Sequence, residues 1–286
     1  MNLGTIGVWS LAFTHGDRGE AREAAAELEE LGYGTLWLGG NPGGNPSGDL
    51  ATAADVLDAT DRVTVATGCV SIWERPAARL AASYHALPAH QRARLLVGLG
   101  VSHAECVDRY QRPYAALAGY LDELDAASPP LPAAARIVGA HGPRMTRLAA
   151  ARTLGVHPYL VDVSHTARAR YELDPASLLA TEQTVILSTE PETARNQART
   201  MLAPYLRLAN YREAWRRMGF DPRDLAHGGS DRLVDALFAH GTPEEIAARI
   251  TKHAAAGADH IALQVVTAHR SLFARTAWRE LAAALC

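Results

Sequence analysis

The sequence predicts an α/β protein and, within that class, a (β/α)8 TIM barrel with an extra helical excursion after the seventh strand. Three observations carry this. Leu95 to Leu99 is a short, almost wholly apolar run between Arg94 and Gly100, as expected of a strand buried on both faces in a parallel sheet. Directly after it, Ser102-His-Ala-Glu105 has the S-x-x-E spacing of a helix capping box, so the chain is expected to leave a buried strand, turn, and enter a helix. Finally, a helix, a glycine and a short apolar strand follow one another at three separate places: Ala21 to Leu31 with Gly32 and Thr35–Leu38, Leu148 to Leu154 with Gly155 and Val156–Val161, and Ile246 to Ala256 with Gly257 and His260–Val266. Three copies of one junction favour repeated βα units over two unlike domains. A single domain over residues 1–286 is expected. An open, doubly wound sheet is the alternative.

Taken in order, Leu3 to Trp9 reads as the first strand. Ala21, Ala24, Ala25, Leu28 and Leu31 then recur at helical spacing, and Gly32 ends that helix at a C′ position. The other strands expected are Thr35–Leu38, Val63–Val70, Leu95–Leu99, Arg136–Ala140, Val156–Val161, Thr184–Ser188 and His260–Val266. The helix of the capping-box unit is expected from about Ala104 to Asp125, and the next near Gly142. Thr189-Glu-Pro-Glu192 and Thr242-Pro-Glu-Glu245 are two more capping boxes, the second with Pro243 at N1. Ser128-Pro-Pro-Leu-Pro132 is a stiff connector, and Asn41 to Gly48 a mobile loop after the second strand. The segment from about Thr193 to His240 holds no clear strand and forms the excursion.

The composition narrows the function. Hydrophobic residues make up 48% of the 286, charged residues 21%, and the net charge is −3 without a run of one sign. Neither a nucleic-acid partner nor a membrane surface is suggested, and no apolar stretch approaches the roughly 18 residues of a transmembrane helix. The N-terminus lacks the basic region of a signal peptide. Cys69, Cys106 and Cys286 are far apart and form no C-x-x-C pair, which fits a reducing cytoplasm.

In a barrel the chemistry sits at the strand C-termini. The sequence puts Trp9, Gly40, Asn41, Gly68, Cys69, Val70, Ser71, Trp73, Ser102, His103, His141, Gly142, Pro143, Arg144, His157, Tyr159 and Gln264 there. Gly139-Ala-His-Gly-Pro-Arg-Met145 ends a strand and starts a helix, where free N–H groups, the helix dipole and Arg144 suit an anion; an ordinary turn with a surface arginine is the other reading. His103 has the intrinsic pKa of a general acid or base, or is a solvated residue in a first helical turn. Three histidines on one face raise a metal site, but H-x-x-x-H spacing and a carboxylate partner are missing, and no metal is expected. Trp9, Trp73, His157 and Tyr159 are expected as pocket walls.

Several of these stretches together resemble the luciferase-like monooxygenase superfamily: Leu28 to Leu38 (LEELGYGTLWL), Val65 to Pro76 (VATGCVSIWERP), Leu95 to His103 (LLVGLGVSH), Gly142 to Ala151 (GPRMTRLAAA), His157 to Val161 (HPYLV), Gly228 to Leu237 (GGSDRLVDAL) and His253 to Val266. Within it they are most similar to the coenzyme F420-dependent oxidoreductases of actinobacteria. The resemblance implies a (β/α)8 barrel with F420, or alternatively FMN, across the strand C-termini, and hydride transfer with a small organic substrate at its ring. Carried over by position, Gly68 to Ser71 would back the ring, with a non-prolyl cis peptide within Gly68-Cys-Val70. Gly40, Asn41 and Ser102 would line it, and Gly142, Pro143 and Arg144 would take the cofactor phosphate. His103 falls where related sugar-phosphate dehydrogenases carry a glutamate. Those relatives also have an acidic residue and a histidine after the second strand, where this chain reads Gly39-Gly-Asn41. An F420-dependent oxidoreductase with His103 as its acid or base is expected. An FMN-dependent monooxygenase and a non-catalytic flavin- or ligand-binding barrel are the alternatives, and a homodimer is usual for the superfamily.

Overall fold

The chain alternates strands with helices, and alternation along each strand decides which side chains face the helices and which face inward. The computed structural model describes residues 1–40 and 49–286; the expected loop from Asn41 to Gly48 lies outside the described residues. Among the described residues ten strands occur: β1 Ile6–Ser10, β2 Thr35–Gly39, β3 Thr64–Gly68, β4 Val70–Ser71, β5 Leu95–Gly100, β6 Arg136–Val138, β7 Gly155–Val156, β8 Leu178–Ile186, β9 Phe238–His240 and β10 His260–Val265. All their pairings are parallel. β10 pairs with β1 (Ile6 opposite Ile261) and with β8 (Ala180 opposite His260), so the ring β1-β2-β3-β5-β6-β7-β8-β10 closes on itself. It is an eight-stranded (β/α)8 barrel, and an open doubly wound sheet is ruled out. The two-residue β4 continues β3 after Cys69 and pairs with β5. β9 pairs with the last three residues of β8.

Two apolar layers follow from the alternation. Val8, Leu36, Leu38, Val65, Leu95, Val97, Leu99, Leu179, Val185, Ile261 and Leu263 pack outward against helix residues such as Ala24, Leu28, Leu80, Leu121 and Ile250. Trp9, Trp37, Ala66, Leu96, Ile137, Ala180 and Ala262 form the inner layer. By the same parity Glu182, Thr184, His260 and Gln264 face inward. Gln183 faces outward, where its Oε1 meets His253 Nε2 at 2.9 Å and ties helix Pro243–Ala255 to β8.

The expected helix, glycine and strand follow one another at all three junctions, but the glycines act in two different ways. Gly32 (φ 94°) and Gly257 (φ 100°) are left-handed C′ residues. In both, the next N–H reaches back to the C3 carbonyl, Tyr33 to Leu28 at 3.2 Å and Ala258 to His253 at 3.1 Å, which is the Schellman closure. Gly155 does something else: it opens β7, and a Cβ there would lie 1.9 Å from the Leu178 carbonyl oxygen, so glycine is what lets β7 approach β8.

Other boundaries need correction. Ser102 does not cap a helix. It has φ 54°, in the left-handed region, whereas an N-cap needs extended backbone; the helix of that unit is Pro113–Ala126, with the proline near its start. Residues 101–112 are a loop, and Glu105 accepts the Ala209 N–H at 2.9 Å instead. The Thr189 box is displaced by one residue, with Glu190 as N-cap and no side-chain bond, whereas the Thr242–Glu245 box is complete in both directions. The expected strand Val156–Val161 shrinks to Gly155–Val156, since Pro158 has no N–H to donate and Leu160 has φ 52°. β8 starts six residues before the expected Thr184, because buried Glu182 and Gln183 disguise it as a polar stretch. The excursion after β8, the seventh strand of the barrel, is helical as expected, with Pro191–Leu202, Ala209–Arg217 and Asp231–Leu237, but it does contain β9.

Candidate active site at the barrel mouth

Four neighbouring strands end with glycine at an inward position: Gly39 in β2, Gly68 in β3, Gly98 and Gly100 in β5, and Gly139 just after β6. Their missing side chains leave room that two residues enter. The Trp9 indole lies across β2 and β3; a Cβ on Gly39 would come within 2.7 Å of its ring, and one on Gly68 within 2.5 Å of its Nε1. Cys69 fills the space over Gly100 and Gly139, whose added Cβ atoms would lie 3.2 and 3.3 Å from its Cβ and Sγ. The Gly68–Cys69 peptide is cis, within the segment where the family resemblance implies one. The Gly40 N–H donates to the Gly68 carbonyl at 2.8 Å and fixes the turn beside it.

Above this floor is a cavity of about 340 Å³, at the small end of the roughly 300–1,000 Å³ usual for small-molecule pockets. Of the expected site residues, Trp9, Gly40, Gly68, Cys69, Ser71, Ser102, His103, Gly142, His157 and Tyr159 line it together. Four do not. Val70 is buried in the outer layer. The Trp73 indole N–H donates to the Val101 carbonyl at 2.6 Å, and its ring packs on Tyr110, which lines the cavity in its place. Pro143 and Arg144 are exposed at the start of helix Pro143–Arg152, where the Arg144 guanidinium sits over the Tyr114 ring at 4.6 Å. Asn41 lies outside the described residues. Among the described residues the cation that does line the cavity is Arg217, 3.7 Å from where a Gly142 Cβ would be. Among the described residues, no group of three or more His, Cys, Asp or Glu side chains is placed to hold a metal ion.

Three imidazoles line the cavity, each with one nitrogen fixed. His157 stacks on Trp37 with ring centroids 4.0 Å apart. Its Nδ1–H donates to the Ala180 carbonyl at 2.8 Å, which leaves Nε2 as a buried acceptor without a partner. His141 Nε2–H donates to the Tyr159 carbonyl at 2.7 Å. Burial pushes the pKa of His157 down to about 3 and that of His141 to about 4. His103 stands in loop 101–112, not at a helix start. Its Nδ1 lies 2.9 Å from Asn210 Oδ1 and its ring 5.4 Å from Tyr211. Burial lowers its pKa, while the Asn210 bond and the Glu105 charge pull the other way.

The remaining wall comes from the excursion. Tyr205, Asn210, Tyr211, Glu213 and Arg217 all line the cavity. Tyr159 and Tyr205 pair through their hydroxyls at 3.1 Å. Helix Ala209–Arg217 is pinned to the barrel by the Trp215 indole N–H, which donates to the Leu160 carbonyl at 3.1 Å. Behind these tyrosines Glu182 is buried, with its carboxyl raised to about 7 by burial; the Thr184 hydroxyl and the Leu160 N–H, which donate to it, partly offset that rise. Sequence reasoning missed this wall. The one signal was the spacing of Asn210, Glu213 and Arg217, which places them on one helical face, and nothing in it says what that face covers.

The comparisons bear on the barrel as a whole. No family model and no curated protein matches the sequence. Among solved structures, the chain is similar to an F420-dependent secondary alcohol dehydrogenase in complex with an F420-acetone adduct, at 14% identity and a TM-score of 0.75, with 98% of each chain covered. It is also similar to the coenzyme F420-dependent tetrahydromethanopterin reductase of Methanopyrus kandleri, at 11% identity and 0.67, again with 98% of each covered. A third similar structure is the oxygenating constituent of 3,6-diketocamphane monooxygenase from the CAM plasmid of Pseudomonas putida, a type II Baeyer-Villiger monooxygenase in complex with FMN, at 14% identity and 0.68, covering 97% of this chain and 96% of that one. These likenesses extend over nearly the whole chain and establish the fold, which is the one expected from the luciferase-like resemblance. No helix among the described residues is long and apolar enough to cross a membrane.

Proposed function

We propose that this chain is an F420-dependent oxidoreductase that moves a hydride between the deazaflavin and a small organic substrate, with His103 exchanging the accompanying proton. One observation carries the reading: a half-exposed imidazole, held through one nitrogen by Asn210, lines a glycine-floored cavity at the C-terminal end of the barrel. The structural relatives that use F420 or FMN support the same cofactor class.

The residues present fit a flat heteroaromatic ring. Gly68, Gly100 and Gly139 form a cradle that a Cβ at any of them would crowd, and Trp9 and Tyr159, 5.3 Å apart, form an aromatic wall. Two polar atoms in that floor are buried without partners, the Trp9 indole N–H and His157 Nε2. One donates and the other accepts, as the edge of a ring bearing both carbonyl and N–H groups requires. Near Gly142 the backbone N–H groups of Arg144 and Met145 are in the first helical turn, where no intrahelical acceptor exists for them. Together with the Arg217 guanidinium they suit the cofactor's phosphate. Arg144 thus contributes its backbone, while the fork expected of its side chain comes from Arg217.

When bound, the deazaflavin supplies the hydride donor or acceptor. The protein supplies the proton partner. For alcohol oxidation His103 Nε2 takes the hydroxyl proton; in the reverse direction the protonated ring returns it to the carbonyl oxygen. Burial, which lowers the His103 pKa, keeps the ring neutral and ready to accept near pH 7. The tyrosines and Trp9 keep water from the reacting carbon.

Titrating the purified protein with F420 and with FMN, following cofactor fluorescence, tests the proposal. Saturable F420 binding, and a change in cofactor redox state with one of a panel of alcohols, ketones and enones, is expected. FMN binding without F420 binding would replace it by the FMN-dependent monooxygenase. Binding of either with no turnover across the panel would leave a ligand-holding barrel.

A further inference from the structure

Loop 101–112 and helix Ala209–Arg217 are far apart in sequence, yet two consecutive helix residues are tied to that loop across 104 and 107 residues of chain. Ala209 N–H donates to Glu105 Oε1 at 2.9 Å, and Asn210 Oδ1 lies 2.9 Å from His103 Nδ1. The next residue, Tyr211, packs its ring against both His103 (5.4 Å) and His141 (5.1 Å). Helix and loop therefore close over the cavity as a clasp in which, among the described residues, the Asn210 amide is what meets a ring nitrogen of His103.

We propose that Asn210 is the positioning residue for His103: its side-chain oxygen accepts the Nδ1 proton, fixes the Nδ1–H tautomer, and so leaves Nε2 as the nitrogen that accepts a proton at the cavity. The chemistry of the pair supports this orientation. A neutral imidazole has one donor and one acceptor nitrogen, and which is which is set by the bond the other makes. The glutamate carboxylate of the same loop acts on His103 through its charge, while its Oε1 accepts the Ala209 N–H at the helix start. The groups that face His103 are Glu105 from its own loop, His141 from the end of β6, and Tyr211 from the helix, with Glu213 and Arg217 one and two turns further along the same cavity wall. Among these, Glu105 favours the protonated ring and His141, neutral near pH 7, does not. A residue that merely filled space at position 210 would leave the tautomer unchanged.

The inference deepens the proposed role of His103 and rests on that role for its effect on turnover, but the tautomer is readable with no cofactor bound. The experiment is nitrogen-15 NMR of histidine-labelled full-length protein, with the His103 signals assigned by their loss in His103→Gln. At pH 8 the parent should show a protonated Nδ1 and an acceptor Nε2. Asn210→Leu should move His103 toward the Nε2–H form. Asn210→Asp should restore the Nδ1–H form and raise the His103 pKa by roughly one unit or more, as a carboxylate in direct contact does. In turnover, Asn210→Leu should lower kcat at least about tenfold, part of the roughly 10²–10⁴-fold that a positioned acid or base contributes, with KM nearly unchanged, and Asn210→Asp should shift the acidic limb of the pH–rate profile for alcohol oxidation upward in step with the NMR value. An Nε2–H tautomer in the parent, or an Asn210→Leu variant with unchanged tautomer and titration, would overturn the proposal. If Asn210→Leu fails to fold, the parent spectrum and Asn210→Asp still decide it. An Nδ1–H tautomer together with full turnover by His103→Ala would instead sink the proposed function and leave the positioning intact.

Discussion

His157 and His103 line the same cavity, and each has one ring nitrogen fixed, but by different means. His157 is held by the backbone: its Nδ1–H meets the Ala180 carbonyl of β8, its ring lies flat on Trp37, and Trp37 in turn donates to His260 at 3.0 Å. His103 is held by a side chain on a helix that enters the site from far along the sequence. A backbone partner inside a closed barrel cannot rotate away, and burial, against the upward pull of the Ala180 bond, keeps the ring neutral down to about pH 3. A side-chain partner at a half-open mouth leaves a ring that still exchanges protons. The floor is thus built to be fixed and the clasp to take part in chemistry.

The largest expected effect is acid destabilisation of the floor and the layers around it. His141, His253 and His260 have pKa values lowered to about 4, and His157 and His165 to about 3, all chiefly by burial. Each binds a proton more readily unfolded, with a pKa near 6.5, than folded. Their contribution is therefore whole above about pH 6.5 and is lost as pH falls from there toward 4, at about 1.4 kcal/mol per pH unit for each group. Thermal melting followed between pH 7.5 and 5 should show a steep fall below pH 6.5. A flat profile across that window would mean that the floor histidines are hydrated and that the contrast with His103 is false.

Next in size is the clasp itself. His103→Ala should lower kcat by about 10² or more while leaving cofactor affinity within a few fold. His157→Ala should act the other way round, with a loss of thermal stability as its main effect. Parent-level turnover in the His103 variant would move the proton-transfer role off the clasp.

A smaller effect separates two arginines. Arg217→Ala removes a charge-assisted bond of about 1.5–3 kcal/mol and should weaken cofactor binding roughly 10- to 100-fold, with a smaller loss for a fragment lacking the phosphate. Arg144→Ala should change it only slightly, since that guanidinium stacks on Tyr114. The reverse ranking in a fluorescence titration would return the anion site to the sequence-based assignment. The smallest effect expected is in Trp215→Phe, which removes the indole bond to the Leu160 carbonyl. The net loss is about 1 kcal/mol, a fall in melting temperature of roughly 2–4 °C, and the change should loosen the excursion without touching the floor.

By itself the sequence determined the barrel and its floor. A buried parallel strand is an apolar run read from its own residues, as Leu95–Leu99 shows, and a Schellman glycine such as Gly32 or Gly257 is a local event within a few residues. Glycines at strand ends, Gly68 and Gly139 among them, are likewise local marks of a site where backbone must come close. What only the tertiary structure decided is everything that depends on meeting a distant segment. Ser102 and Glu105 have capping-box spacing, but a left-handed backbone at Ser102 and an acceptor role toward Ala209 take both out of any helix. Arg144 and Arg217 are equal candidates by residue type, and only the packing of helix Ala209–Arg217 against the barrel brings one of them to Gly142 and leaves the other over Tyr114. Glu182 reads as a break in a strand because a charge is expensive to bury, and it is tolerated only because the Leu160 N–H and the Thr184 hydroxyl donate to it. Short-range periodicity fixes which way a side chain points along its own element; which partner waits there is set by contacts that close loops of a hundred residues, and those leave no periodic trace in the chain.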